Sequence, residues 1–234
     1  MSQPAEPAPL LLAVETATAA PSLALWRGDA LVCERATDPG NTSEVLLPAL
    51  DALLADAGVA LAAVTGFALS IGPGSFTGLR IGLATVKGLA FGTERSVIAV
   101  PTLAAIAGHA SGPEPVAAVL DARRGEVYAA GFASGESAAW LPEGVIPIEV
   151  LAERLPVGCR VVGEGAALCA DALRGAAVTL SHPPYLETTA RHVARLAARA
   201  WSRGEARPAA GLVPRYLRRA EAEVKRTGER FEPF

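Results

Sequence analysis

One repeated pattern constrains the fold of this chain more than any other feature of its sequence. A short apolar strand, Leu10–Glu15, ends at an acidic residue. A turn follows it, and then a second strand at Ser22–Trp26. The same order returns at Val116–Leu120, which is closed by Asp121, and at Glu126–Phe132. In both places the strands are followed by alternating helices and strands. This order, present twice in one chain of 234 residues, predicts two similar α/β halves around a cleft.

The remaining elements follow from apolar periodicity and from turn residues. A helix is expected to be capped by Ser43 and to end at Gly58, with its leucines on one face. The other predicted elements of the first half are strands at Leu31–Ala36, Val64–Ile71 and Val97–Val100, a helix over Thr77–Phe91 and a short helix from Thr102. Those of the second half are helices at Ile148–Leu155 and Thr189–Ser202, a strand at Arg160–Gly163 and a helix ending at Leu173.

A glycine-rich loop joins a predicted strand to a predicted helix, which is where backbone N–H groups can hold a phosphate. It is not a dinucleotide fingerprint, because Thr77 stands where a glycine is needed, and it lacks the Gly-Lys-Ser/Thr step of a P-loop. A tight strand-to-helix turn explains the glycines equally well, and both interpretations stay open. The loop consists of Gly72, Pro73, Gly74, Ser75, Phe76, Thr77 and Gly78.

Two acids end strands at the predicted cleft, Glu15 in the first half and Asp121 in the second, with Arg123 in the turn after Asp121. Such groups can orient a metal-bound or phosphate ligand, but a carboxylate at a strand end is also ordinary turn chemistry. The three cysteines are far apart and never spaced as C-x-x-C, and the three histidines form no motif with them. We therefore predict no metal site.

Charge is distributed unevenly along the chain. Residues 1–100 hold 5 Lys+Arg and 9 Asp+Glu, whereas residues 188–230 hold 11 and 4. Arg191, Arg195 and Arg199 open a stripe of arginines at four-residue spacing, which is typical either of a solvated helix face or of a phosphate-facing surface. No stacking aromatics alternate with these charges, so base-specific reading of RNA is not indicated.

Composition and segment boundaries complete the prediction. With 51% hydrophobic and 19% charged residues the chain is expected to be globular, and no apolar run reaches the roughly 18 residues of a membrane helix. Residues 1–9 lack the basic head of a secretory signal, so a cytoplasmic location is expected. We predict a disordered tail over 1–9, an N-terminal half over 10–110, a C-terminal half over 111–220 and a charged tail over 221–234.

Three separated blocks resemble a known family. They are Gly72-Pro-Gly-Ser-Phe-Thr-Gly-Leu-Arg-Ile-Gly82 with Lys87-Gly-Leu-Ala90 after it, Asp121-Ala-Arg-Arg-Gly-Glu-Val-Tyr128, and Gly211-Leu-Val-Pro-Arg-Tyr-Leu-Arg-Arg-Ala220. In this order they are similar to the bacterial TsaB proteins of tRNA threonylcarbamoyladenosine biosynthesis, also called YeaZ. The resemblance covers residues 11 to 225.

The resemblance implies a duplicated actin/Hsp70/sugar-kinase-like (ASKHA) fold and a non-catalytic role. Proteins of this kind pair with the catalytic sister TsaD and cooperate with the ATPase TsaE, which implies tRNA contact through the complex and a homodimer in isolation. It implies no cofactor of the chain's own, with ATP or ADP expected only at the complex interface. The alternatives are an ATP-binding or ATP-hydrolysing enzyme of the same fold and a metallopeptidase, for which we find no ligands.

The same resemblance implies roles for particular residues. In the catalytic sisters, the helix after the strand equivalent to Val97–Val100 begins with His-x-x-x-His, whereas this chain has Thr102 and Ile106, neither of which ligates as imidazole does. Glu15 stands where Asp is common in the family, and Thr42 where His is common. The resemblance implies a partner interface formed by Leu46, Leu47, Leu50, Leu53, Leu54 and Leu83, with Arg80 and Lys87 at its rim. Candidates for facing tRNA are Arg195, Arg199 and Arg218.

Overall fold

The computed structural model describes residues 8–133, 139–181 and 188–218, which form two mixed β-sheets covered by helices. The first half contributes β1 (Leu10–Glu15), β2 (Ser22–Arg27), β3 (Ala30–Ala36), α1 (Thr42–Asp56), β4 (Gly66–Ser70), α2 (Phe76–Thr93), β5 (Ser96–Val100) and α3 (Thr102–Ala107). The second contributes β6 (Val116–Arg123), β7 (Glu126–Phe132), β8 (Ala139–Pro147), α4 (Ile148–Arg154), β9 (Arg160–Val162), β10 (Thr179–Ser181), α5 (Thr189–Ser202) and β11 (Arg207–Pro208).

The two sheets repeat one topology. In the first, with strand order β11-β5-β4-β1-β2-β3, the antiparallel meander β1-β2-β3 joins the parallel strands β4 and β5 through β1. In the second, with order β10-β9-β6-β7-β8, the meander β6-β7-β8 joins the parallel strands β9 and β10 through β6. The predicted duplication of two α/β halves is confirmed.

The first sheet is buried on both faces because its strand residues alternate between two apolar clusters. Leu10, Leu12 and Val14 of β1 pack with α1 and α2 on one face. Leu11 and Ala13 pack with α5 on the other. Packing against helices on both faces holds β1 in place, and with it the turn that follows β1 at the cleft.

The end of the described chain returns to the first half. Helix α5 packs on β1 and β2, and β11 pairs with β5 at the edge of the first sheet. The predicted half over 111–220 therefore needs a correction, because residues 189–208 lie on the first sheet although they follow the second in sequence. Of the predicted tails, residues 1–7 and 221–234 lie outside the described residues.

Most predicted elements agree with the structure to within two residues, and the exceptions have local causes. Helix α1 begins at Thr42 after Asn41, so the predicted Ser43 cap is wrong. The predicted helix ending at Leu173 is instead a 3-10 helix, Glu164–Cys169, followed by turns. Strand β8 was not predicted, because its prolines and glycine look like turn residues, which an edge strand tolerates. Within the described ranges, no helix is both long and apolar enough to cross a membrane.

Candidate functional site

A cleft of about 1440 Å³ opens where the two halves meet. Its walls are the turn between β1 and β2, the glycine-rich loop before α2, the turn between β6 and β7, and the 3-10 helix after β9. Each wall follows the carboxyl end of a strand, as expected for an α/β cleft. Among the residues lining it are Thr16, Thr18, Ser75, Asp121, Glu164 and Arg218.

Glu15 does not face this cleft as a free carboxylate. It is fully buried, and its Oε1 accepts hydrogen bonds from the backbone N–H groups of Ala17 and Thr18, at 2.6 and 3.1 Å. Its Oε2 accepts from the Thr18 hydroxyl at 2.6 Å, and Ser70 Oγ lies 3.3 Å from Oε1. Burial raises the pKa of Glu15 to about 7 against the opposing effect of these hydrogen bonds, with a small further increase from the charge of Glu164. The predicted ligand-orienting role is corrected to one of holding the β1–β2 turn.

Glu164 reaches the same turn from the other half. Its Oε1 accepts a hydrogen bond from the backbone N–H of Ala19 at 2.6 Å. Burial raises the pKa of this carboxyl, hydrogen bonds from the Ala19 and Ala20 backbone lower it, and the charge of Asp121 raises it again. Sequence reasoning missed Glu164, because its partner is 145 positions away in the chain.

The glycines of the loop serve close packing against that turn. A Cβ on Gly78 would lie 1.9 Å from the carbonyl oxygen of Thr16, and one on Gly74 would lie 2.3 Å from that of Ala17. One on Gly82 would lie 2.2 Å from Thr16 Oγ1, which donates to the Gly78 carbonyl at 2.8 Å. Of the two interpretations left open by the sequence, these contacts favour the tight turn, with Ser75 Oγ accepting from Gly78 N as the cap of α2.

Asp121 lies in the cleft wall and bonds within its own turn. Its Oδ1 accepts from the Arg123 backbone N–H at 2.7 Å, and its Oδ2 lies 3.1 Å from the Arg123 guanidinium. The Arg123 side chain is 85% exposed, so this ion pair is a weak one. A ligand-orienting role for the pair stays a prediction.

A crossing segment, residues 207–218, runs from the first sheet over the cleft to the second. Arg215 donates its backbone N–H to the Ile71 carbonyl at 2.7 Å, while its guanidinium pairs with Glu143 of β8 at 2.8 Å. Arg218 donates to the Ala122 carbonyl and pairs with Glu126, both in the second half. The third block of the family resemblance therefore connects the two halves.

The predicted rim residues bind this crossing segment. Arg80 stacks 3.9 Å from the centre of the Phe76 ring and donates to the Tyr216 hydroxyl at 3.2 Å. The Tyr216 ring lies 5.0 Å from that of Phe76. Lys87 donates to the Ala210 carbonyl at 3.2 Å. The role of Arg80 and Lys87 at the rim of a partner interface stays a prediction.

Four of the leucines predicted for the partner interface belong to the chain's own core. They pack against the first sheet and leave no surface for a partner, because α1 turns this face inward. These four are Leu46, Leu50, Leu53 and Leu54, with exposed fractions of 1 to 6%. Leu47, which lies at the border of this face on α1, is 51% exposed, and Leu83 is half-buried. For these two the interface stays a prediction.

The three arginines predicted to face tRNA are not brought together. Arg218 lines the cleft between the halves, whereas Arg195 and Arg199 line a separate cavity of about 490 Å³ beside α5. The first arginine of the stripe, Arg191, pairs with Glu34 of β3 at 2.6 Å and is not a solvated charge. The prediction that all three residues form a single phosphate-facing surface is therefore wrong.

The residues at the sister enzymes' His-x-x-x-His positions serve packing. Thr102 is buried, and its Oγ1 accepts from the Gly72 backbone N–H at 3.1 Å. Ile106 is 2% exposed in the cluster between α3 and the second sheet. In the three described ranges, no group of three or more His, Cys, Asp or Glu side chains is placed to hold a metal ion.

Comparison with known proteins gives consistent matches. Residues 40–152 match the profile of the family TsaD: tRNA N6-adenosine threonylcarbamoyltransferase. The tRNA threonylcarbamoyladenosine biosynthesis protein TsaB of Bacillus subtilis is 32% identical over 92% of this chain and 96% of its own length. TsaB of Escherichia coli is 37% identical over 62% of this chain, and that match spans 65% of the relative's length, just under two thirds.

Solved structures agree with these sequence matches. YeaZ from Pseudomonas aeruginosa is 35% identical and superposes with a TM-score of 0.77 over 89% of this chain and the whole of that one. Component A of the (R)-2-hydroxyglutaryl-CoA dehydratase of Acidaminococcus fermentans, 10% identical, superposes with a TM-score of 0.50. The activator of the 2-hydroxyisocaproyl-CoA dehydratase of Clostridium difficile, 8% identical, superposes with a TM-score of 0.52, and both structures show the fold alone. The architecture is the duplicated ASKHA fold predicted from the sequence.

Proposed function

The chain belongs to the TsaB family, and on that premise we propose that it is a non-catalytic subunit of the machinery that forms N6-threonylcarbamoyladenosine in tRNA. In this role it binds the transferase TsaD and stabilises its active conformation. TsaE joins the assembly, tRNA contacts this chain only through the complex, and the site of action is the cytoplasm. Any ATP or ADP lies at the junction between subunits.

One observation carries the non-catalytic part of the proposal. The two positions that hold metal-binding imidazoles in the catalytic sisters are occupied here by Thr102 and Ile106, both buried in packing contacts. A hydroxyl already bonded to Gly72 and an aliphatic side chain offer no imidazole nitrogen to a metal. The chain's contribution is therefore its surface.

The surface of α1 and α2 suits a protein partner. Among the described residues, six large apolar side chains are markedly exposed, and three of them lie on or beside these helices. Leu47 is on α1, and Phe91 is on α2 with 89% of its surface exposed. Val213 follows a second 3-10 helix, Ala209–Gly211, which contacts α2. Exposed apolar side chains beside polar ones such as Arg80 are typical of a protein interface. The same surface would serve a homodimer when TsaD is absent, so the two assemblies compete.

The test of this surface is the variant Leu47→Arg. It places a charge at an exposed apolar position of the proposed contact, and we expect affinity for TsaD to fall about tenfold or more while the fold is kept, because Leu47 is half exposed. Sedimentation velocity of the mixed proteins measures the complex, and circular dichroism checks the fold.

Val157→Arg is the matched control, since Val157 is 85% exposed on the loop between α4 and β9, in the second half. It should bind TsaD as the wild type does. Wild-type binding by a folded Leu47→Arg variant would place the interface elsewhere. Leu50→Arg cannot serve as the test, because Leu50 lies in the core and its replacement would unfold the chain.

A further inference from the structure

The turn between β1 and β2 presents a row of backbone N–H donors, and the protein's own carboxylates accept their hydrogen bonds. The N–H groups of Ala17 and Thr18 donate to Glu15. Those of Ala19 and Ala20 bond to Glu164. Four successive amides therefore converge on two acidic side chains at one corner of the cleft.

Such a row of donors normally binds an external anion. Successive backbone N–H groups in a turn form a concave site for oxyanions, and phosphate groups are the usual ligands. Hydrogen bonds from N–H to a carboxylate are charge-assisted, and 2.6 Å from Ala19 N to Glu164 Oε1 is at the short end of their range. A phosphate oxygen at this position would have to displace a carboxylate that is already in contact.

The two carboxylates come from opposite sides of the cleft. Glu15 ends β1 and belongs to the same half as the turn. Glu164 begins the 3-10 helix after β9, and this helix packs tightly on β6. A Cβ on the preceding Gly163 would lie 2.1 Å from the Val119 carbonyl oxygen, so the backbone that carries Glu164 sits directly on the second sheet.

We propose that Glu164 is a latch across the cleft: its carboxylate, carried by the second half, occupies the oxyanion position of the β1–β2 turn, joins the two halves and excludes phosphate-bearing ligands from that turn. The latch acts with the crossing segment, whose Arg215 and Arg218 connect the halves elsewhere along the cleft. It explains how an ASKHA fold can keep its cleft without using the turn for a nucleotide. The inference does not depend on the identity of the partner protein.

An external oxyanion and the latch must compete for the same N–H groups. The carboxylate is part of the chain, so its effective concentration at the turn is on the order of millimolar or higher, and a dilute ligand competes poorly. Glu15 faces Glu164 across the cleft and Asp121 lies near it in the second half, and both groups are acidic. Removal of the Glu164 side chain frees the Ala19 and Ala20 donors and removes one repelling charge.

The experiment compares Glu164→Ala and Glu164→Gln with the wild type, using pyrophosphate as the probe. Calorimetry measures its binding. Double electron–electron resonance measures the distance between two nitroxide labels, which are attached at Asp29→Cys and Val157→Cys. Both positions are exposed, one lies in each half, and the background carries Cys33→Ser. We expect Glu164→Ala to bind pyrophosphate at least about tenfold more tightly than the wild type and to broaden the distance distribution. Glu164→Gln should be intermediate, since its amide oxygen still accepts from Ala19.

Asp121→Asn is the control, because it removes a cleft charge without touching the β1–β2 turn, and it should leave the distance distribution unchanged. The latch is refuted if Glu164→Ala binds pyrophosphate no more tightly than the wild type does, whatever its distance distribution. If Glu164→Ala does not fold, Glu164→Gln decides: an affinity for pyrophosphate equal to that of the wild type overturns the proposal.

Discussion

Gly78→Ala is expected to lower the free energy of unfolding by roughly 3 kcal/mol or more, although alanine normally stabilises a helix. The added Cβ would lie 1.9 Å from the carbonyl oxygen of Thr16 and 3.1 Å from its carbonyl carbon. Both atoms belong to the backbone of the β1–β2 turn and cannot rotate away as a side chain can. To accommodate the methyl group, α2 must move off the turn, and this movement disrupts the wall of the cleft.

Gly88→Ala is the matched control in the same helix. A Cβ there meets nothing within 4 Å, so we expect a gain of about 1 kcal/mol from helix propensity alone. Urea unfolding followed by circular dichroism measures both variants. Changes of the same sign and size in the two would show that the loop glycines are not there for close packing.

Glu15→Leu is the second substitution for which we expect a large effect, a loss of about 4 kcal/mol. It keeps an apolar volume but leaves the backbone N–H groups of Ala17 and Thr18 buried without an acceptor, at about 1–3 kcal/mol each. Glu15→Gln keeps the shape of the protonated carboxyl group, accepts from both N–H groups and can donate to the Thr18 hydroxyl. We expect it to fold with wild-type stability or better at pH 7.

The wild type and Glu15→Gln should also differ in how their free energy of unfolding depends on pH. Burial raises the pKa of Glu15 from 4.5 to about 7, so the folded chain holds this proton more tightly than the unfolded chain. The resulting stabilisation is complete below pH 4.5 and is lost as the pH rises through 7, a change of about 3 kcal/mol. Glu15→Gln should lack this part of the profile, whereas Glu164, whose pKa is also raised by burial, still contributes its own part. Unfolding curves between pH 4.5 and 8 measure the difference, and parallel profiles for wild type and Glu15→Gln would contradict it.

The fold could be predicted from the sequence because its signals are local. Each half begins with a strand that closes on an acid, and the bounds of β1 and β7 agree with the prediction at both ends. Helix α5 was predicted with the correct bounds from its apolar periodicity. What periodicity could not supply was the sheet on which α5 packs, because that depends on contacts with strands more than 150 residues earlier in the chain.

The candidate site was less predictable for the same physical reason. An apolar stripe on α1 has one pattern whether it faces the chain's own sheet or a partner, so Leu50 in the core and Leu47 on the surface were predicted for the same interface. The acid at the end of β1 was found, but its burial was not. No sequence pattern indicated Glu164, because its hydrogen bond to the β1–β2 turn forms only when the second half packs against that turn.

The measurement that tests the proposed function most directly is tRNA modification in a reconstituted mixture. TsaD, TsaE, tRNA, ATP, threonine, bicarbonate and the enzyme that forms threonylcarbamoyl-adenylate are combined with and without this chain, and modified adenosine is quantified by mass spectrometry of digested tRNA. We expect modification only when the chain is present, and none when it is supplied with the same substrates but without TsaD. Equal modification in its absence, or product formed without TsaD, would contradict the proposal.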